Sequence, residues 1–131
     1  MIVADASTVV AALVDSGADG SWAAALLASE PLAAPHLMPV EVANILRRAS
    51  VAGTISDDVA ALAHADLLDL RVDLFAYAPL ADRAWELRQN VTSYDAWYVA
   101  LAEAIDAPMA TLDLRLTTAS GPRCAFATPA R

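Results

Sequence analysis

Lysine is missing altogether from this sequence of 131 residues; apart from two histidines, every basic side chain is arginine. Without lysine there is no Walker-A phosphate loop, which needs Gly-Lys-Ser/Thr. There is no amine for Schiff-base chemistry, and none for the phosphotransfer sites that gather aspartates at strand ends beside a lysine. Cysteine is nearly missing too. Cys124 stands alone, so no internal disulfide is open to the chain, and in its short apolar stretch it reads as buried and inert. No apolar run approaches the roughly 18 to 20 residues of a membrane span. No basic stretch precedes the apolar residues of the N-terminus, so it does not read as a secretory signal. The expectation is a cytoplasmic protein without a membrane partner. Positive charge is scarce as well: eight arginines face sixteen acids, for a net charge of −8. Phosphate neutralisation supplies most non-specific affinity for nucleic acid, so a broad basic binding surface is excluded. A nuclease that meets phosphate through bound cations is not.

What is present is apolar and alanine-rich. Hydrophobic residues make up 58%, enough for a folded core, and the length suits one domain spanning 1–131. Short apolar runs alternate with longer helical patterns, the mark of a βα protein with a parallel sheet. Strands are predicted at Ile2–Ala4, Leu32–Ala34, Val72–Ala76, Met109–Thr111 and Cys124–Phe126. Helices are predicted from Ser7 as N-cap to Val14, then over Ser21–Ser29, Met38–Ala52, from Ser56 as cap to Leu70, over Leu80–Gln89, and from Ser93 or Tyr94 to Ile105. Asp15 to Gly20 reads as a turn-rich break, and a short helical turn follows Asp113.

Four of the sixteen acids stand apart from the rest. Asp5 and Asp113 directly follow predicted strands; Asp95 opens a helix; Glu41 lies in the first turn of another. Each sits among apolar neighbours, where an ionised group is costly unless paired or bound to a cation. Ligands in parallel α/β sheets lie beyond the carboxyl ends of the strands, so this placement gathers the four at one end of one sheet. Taken singly, each has an ordinary explanation: a cap for Asp5 or Asp95, a turn for Asp113, a solvated helix position for Glu41.

Four segments carry a resemblance: Val3-Ala4-Asp5-Ala6-Ser7; Pro39-Val40-Glu41-Val42-Ala43-Asn44-Ile45-Leu46-Arg47-Arg48; Ser93-Tyr94-Asp95-Ala96-Trp97-Tyr98-Val99-Ala100-Leu101-Ala102; and Thr111-Leu112-Asp113-Leu114-Arg115-Leu116. In this order and at these spacings the sequence resembles the PIN-domain family, in particular the VapC-type ribonuclease toxins of toxin–antitoxin pairs. The resemblance implies a three-layer α/β/α sandwich around a central, mostly parallel sheet of four to five strands. It implies an endoribonuclease that hydrolyses RNA phosphodiesters, leaving a 5′-phosphate and a 3′-hydroxyl. Asp5, Asp95 and Asp113 would ligate Mg²⁺, with Mn²⁺ as a substitute, and Glu41 would hold a second ion or an ordered water. Ser7, Asn44 and Thr111 would orient carboxylates or ordered waters. Arg115 is the candidate for phosphate contact, and Arg47 and Arg48 for the RNA groove. No further acid follows at Arg115 to Thr118, which leaves a second ion site short of a ligand. The implied partners are RNA, a cognate antitoxin and a second copy of the chain. The competing readings are a PIN-like module that binds metal or a partner without turnover, and an acid-rich phosphotransfer domain, which the missing lysine disfavours. His36 and His64 are too isolated to pair on a metal. Trp22, Trp85 and Trp97 read as core or dimer contacts.

Overall fold

The computed structural model describes residues 1–130. Its elements are β1 (Ile2–Ala4), α1 (Ala6–Val14), α2 (Ala18–Ser29), β2 (Leu32–Pro35), α3 (Met38–Val51), α4 (Asp57–Asp69), β3 (Val72–Phe75), a 3-10 turn (Ala78–Leu80), α5 (Ala81–Glu86), α6 (Ser93–Ala104), β4 (Met109–Ala110), α7 (Leu114–Thr117) and β5 (Phe126–Ala127). All five strands are parallel, in the order β3-β2-β1-β4-β5.

The three inner strands are wholly buried, as their unbroken apolar sequences require of strands covered on both faces. β3 lies at an edge and is half open, which accommodates Asp73. The connections β1-α1-α2-β2-α3-α4-β3 step outward in one direction, and the chain then returns across the sheet through α5 and α6 to β4. Because such crossovers are right-handed, the two runs of helices fall on opposite faces. Consistently, α1 packs on α2, α3 and α4, while α5 and α6 pack on each other and α6 lies over β1, β2 and β4. The direction of winding reverses between β1 and β4, and that switch point is where an open α/β sheet forms its binding crevice.

Several boundaries differ from those the sequence suggests. Asp5, not Ser7, is the N-cap of α1: its carboxylate accepts the Thr8 amide at 2.9 Å. The Leu80–Gln89 helix is shorter and is preceded by a 3-10 turn. The last strand lies at Phe126–Ala127 rather than Cys124–Phe126, and Cys124 is half-buried rather than buried. Its thiol is nevertheless pushed up to about 11, by burial first and then by Glu103, so it stays protonated and unreactive.

The supposed break at Asp15 to Gly20 is shorter than expected, because α2 already starts at Ala18. Gly20 makes this possible. A Cβ there would stand 1.7 Å from the Asp15 carbonyl oxygen, so α2 folds back against the end of α1 only with a hydrogen in that place. Gly20→Ala must push backbone against backbone. We expect it to cost about 3 kcal/mol, a fall on the order of 10 °C in melting temperature. A melting curve that does not move would show that the α1–α2 corner adjusts freely.

At the far side of the molecule, Arg83 anchors the C-terminal segment. Its guanidinium donates to Glu103 at 2.7 and 3.2 Å and to the Gly121 carbonyl at 2.8 Å. Glu103 also accepts the Arg123 amide at 2.8 Å. These bonds outweigh burial and hold the Glu103 carboxyl below its ordinary range.

Candidate active site

Asp5 leaves the end of β1, and its backbone amide donates to Ala110 of neighbouring β4 at 3.2 Å. The side chain is buried and accepts three hydrogen bonds. Oδ1 accepts the Ser7 hydroxyl at 2.7 Å and the Thr8 amide at 2.9 Å; Oδ2 accepts the hydroxyl of Thr111. The same two hydroxyls extend the network. Ser7 Oγ accepts the Leu112 amide at 3.2 Å, and Thr111 Oγ1 accepts the Asp113 amide at 3.0 Å. Two short side chains therefore lock the loop after β4 against the loop after β1. An ionised carboxylate offers about four acceptor positions. Three are taken, and the carboxylate is held in one orientation.

Asp113 follows at the end of that loop. It caps α7, with Oδ1 accepting the Arg115 amide at 3.0 Å. Asp95 lies in the first turn of α6, whose N-cap Thr92 accepts the Asp95 amide at 3.2 Å. Burial pushes the Asp95 carboxyl up, with Asp113 and Asp5 adding to the rise; a hydrogen bond with Thr92 works the other way. Glu41, in the first turn of α3, is likewise pushed up, by burial first; Asp95 and Asp5 add to this, while the Tyr98 hydrogen bond opposes it. Each of the four acids thus lies within electrostatic range of at least one other, and Asp5 and Asp95 link them into one group. Residues spread from position 5 to position 113 converge at the β1/β4 switch point.

Little cationic charge among the described residues compensates these acids. Among the described residues, Asp5, Glu41 and Asp95 have no ion pair, and Asp113 has only a loose 3.9 Å approach from Arg115. Nor do any three acidic, imidazole or thiol groups among them stand close enough to close around an ion by themselves. The donor set is carboxylate and hydroxyl oxygen. This suits a hard divalent cation that keeps several of its waters and takes only one or two carboxylates directly.

The other candidates fall as follows. Ser7 and Thr111 touch Asp5 directly. Asn44 is exposed, and its oxygen accepts Arg47 Nε at 3.0 Å, so its recorded partner is an arginine rather than an acid. Arg115 is 98% exposed and lines a cleft of about 330 Å³ together with Asn90, Thr92, Asp95 and Asp113. His36 and His64 are both exposed. Trp97 stacks edge-on against Tyr77, and exposed Trp85 lies under Arg88. Two features escape a reading of the sequence. One is Tyr98, whose buried hydroxyl donates to Glu41 Oε1 at 2.7 Å. The other is an apolar rim: Val40, Tyr94 and Leu114 are all exposed, and each adjoins one of the acids Glu41, Asp95 and Asp113. The only available signal for Tyr98 is its position three residues after Asp95, on the same side of one helix.

The raised carboxyls make a testable linkage. Glu41 and Asp95 bind protons more tightly in the folded chain than at their ordinary values of 4.5 and 3.8. Between those values and the raised ones the folded state holds more protons than the unfolded, so stability must fall as pH rises. The Glu103 shift has the opposite sign and acts only below its ordinary value of 4.5. In EDTA, the melting temperature should decline as pH rises through the range just above those ordinary values. A divalent ion, which competes with those protons, should flatten or reverse the trend. A melting temperature that climbs with pH in EDTA would contradict the clustering.

Comparison with known proteins agrees with this geometry. The PIN domain family matches residues 2–121. Ribonuclease VapC1 of Mycobacterium tuberculosis is 43% identical over 123 residues, covering 93% of this chain and 92% of that one. Ribonuclease VapC9 of the same species is 39% identical over 124 residues, covering 95% and 94%. Among solved structures, VapBC2 from Rickettsia felis, bound to a DNA fragment from its promoter, superposes with a TM-score of 0.67 at 15% identity over 98% of both chains; at that identity the likeness is one of fold. With its parallel sheet, its winding reversal beside Asp5 and relatives alike over nearly their whole length, the chain belongs to the PIN-domain family.

Proposed function

We propose that this protein is an endoribonuclease, the toxin of a toxin–antitoxin pair, and that it hydrolyses RNA phosphodiesters with Mg²⁺ or Mn²⁺ held by Asp5, Asp95 and Asp113 and assisted by Glu41. The observation that carries the reading is the convergence of four acids, none with a close cationic partner among the described residues, at the switch point of the sheet. Relatives named as ribonucleases at 39–43% identity support the reaction class.

A divalent ion held there would activate water and offset the charge that builds on the phosphoryl oxygens. The chain's own residues supply the frame. Ser7, Thr8 and Thr111 fix Asp5. The α6 N-terminus, with its positive end of the helix dipole, favours the ionised form of Asp95. Arg115, exposed at the mouth of the cleft beside Asp113, would meet a neighbouring phosphate. The exposed rim of Val40, Tyr94 and Leu114 gives bases or a partner chain an apolar footing around an anionic centre. An antitoxin would cover this centre with basic residues, since complementary charge steers such an encounter, and a second copy of the chain would extend the groove.

The direct test is to incubate purified protein with total RNA and map the ends. Discrete cuts bearing 5′-phosphates in Mg²⁺ or Mn²⁺, and none in EDTA, are expected. Cutting that persists in EDTA would refute the metal-dependent reading, and intact RNA in both conditions would leave the acids to a binding role.

A further inference from the structure

We propose that Tyr98 is a positioning residue for the reaction, holding the Glu41 carboxylate in the orientation in which it can serve a divalent ion; this rests on the metal-dependent reading above.

Glu41 is the least constrained of the four acids. Asp5 accepts three hydrogen bonds, Asp113 caps α7 and Asp95 is tied to Thr92. Glu41 has one more rotatable bond than an aspartate and is only partly buried. Among the described residues, its carboxylate accepts one hydrogen bond, from Tyr98, 57 positions along the chain and on a different helix. That donor is rigid. Tyr98 is 2% exposed, locked into the core between α6 and the elements beneath it, so its hydroxyl is a fixed point. A phenol is also a donor at neutral pH, well below its ordinary value of about 10. Because Tyr98 bonds Oε1, Oε2 and the remaining lone pair of Oε1 stay open. A lysine or arginine in this place would fix Glu41 as well, but its charge would compete with a cation. A neutral phenol orients without competing. Partners of this kind, one shell out from an ion, set the orientation of its ligands.

The test uses Tyr98→Phe, which keeps the ring and removes the hydroxyl, in the full-length protein. The chain has only four glutamates, Glu30, Glu41, Glu86 and Glu103, so selective ¹³C-glutamate labelling resolves the Glu41 carboxyl by NMR. In EDTA, Tyr98→Phe should shift the Glu41 signal and lower its side-chain order, leaving Glu103 in place. An unchanged Glu41 signal in a folded variant would overturn the proposal, whatever the protein does with metal. In the second arm, Mn²⁺ affinity measured by calorimetry should fall about tenfold. Added to Glu41→Gln, Tyr98→Phe should cause no further loss. A loss that multiplies independently of Glu41 would identify a general packing effect and count against the positioning role. If the parent protein itself takes up no Mn²⁺, the metal-dependent reading fails, and the EDTA spectra still decide whether Tyr98 holds Glu41.

Discussion

Asp95→Asn should lower RNA cleavage by about 10²–10³-fold and yet leave a protein that, in EDTA, melts no lower than its parent. The two halves of this expectation have the same cause. Asp95 lies in the first turn of α6, where desolvation, Asp113 and Asp5 all penalise its charge. Asparagine keeps the shape, still accepts hydrogen bonds and removes the repulsion, so the metal-free fold loses nothing and stands to gain. The catalytic role loses everything that a negative oxygen supplied. A variant that is inactive and at least as stable is the signature of a residue kept for function at a cost to the fold. A variant that is inactive because it has unfolded would place Asp95 in the core instead. Cleavage that survives intact would mean that another nuclease contaminates the preparation or that Asp95 takes no part.

The second large effect is thermal. A ligand that binds only the folded state stabilises it by RT ln(1 + [L]/Kd), about 2.7 kcal/mol at one hundred times Kd, which is on the order of 10 °C for a chain of this length. Millimolar Mn²⁺ should give a rise of that order over EDTA, and Asp5→Asn should remove most of it. The substitution is chosen because it spares the local fold. Asparagine is as good an N-cap as aspartate, so the Thr8 amide keeps its acceptor. The new amide group can donate to Thr111 Oγ1, which has lone pairs for both it and the Asp113 amide. What is lost is charge at the hub of the cluster. Equal melting temperatures in EDTA and Mn²⁺ for the parent protein would remove the case for an ion at this site.

Much of this fold is legible in the sequence, and what was not has definite causes. Ile2–Ala4 and Met109–Ala110 announce themselves as buried strands because nothing polar interrupts them, and an acid follows each within a few residues. The α3 and α4 ends are marked by Pro39, Gly53 and Ser56, whose backbone preferences are strong. The cap of α1 was misplaced because Asp5 and Ser7 both suit that position, and only the three-dimensional bond to Thr8 separates them. The start of α2 was missed because glycine reads as a breaker, whereas Gly20 is there for the close approach of Asp15. Tyr98 was hidden because an aromatic among Ala96, Val99 and Ala100 reads as packing, which it also is. Its second role depends on a glutamate brought in from another helix, and a single sequence does not display that pairing. The order of the strands was likewise out of reach, since it depends on which crossover goes which way.

The bond between Thr111 and Asp5 spans 106 positions of the chain, and β1 is complete in the sheet only when β4 lies beside it. On a translating ribosome, at about 5–20 residues per second, some seconds pass between the emergence of the first acid and the arrival of the hydroxyl that fixes it. During that interval the nascent polypeptide has no assembled centre with which to attack the message it is being read from. A product lacking the last third would also lack Asp95 and Asp113. The order in which the parts are made therefore delays assembly of the acid cluster until β4 and the Thr111 hydroxyl have been synthesised.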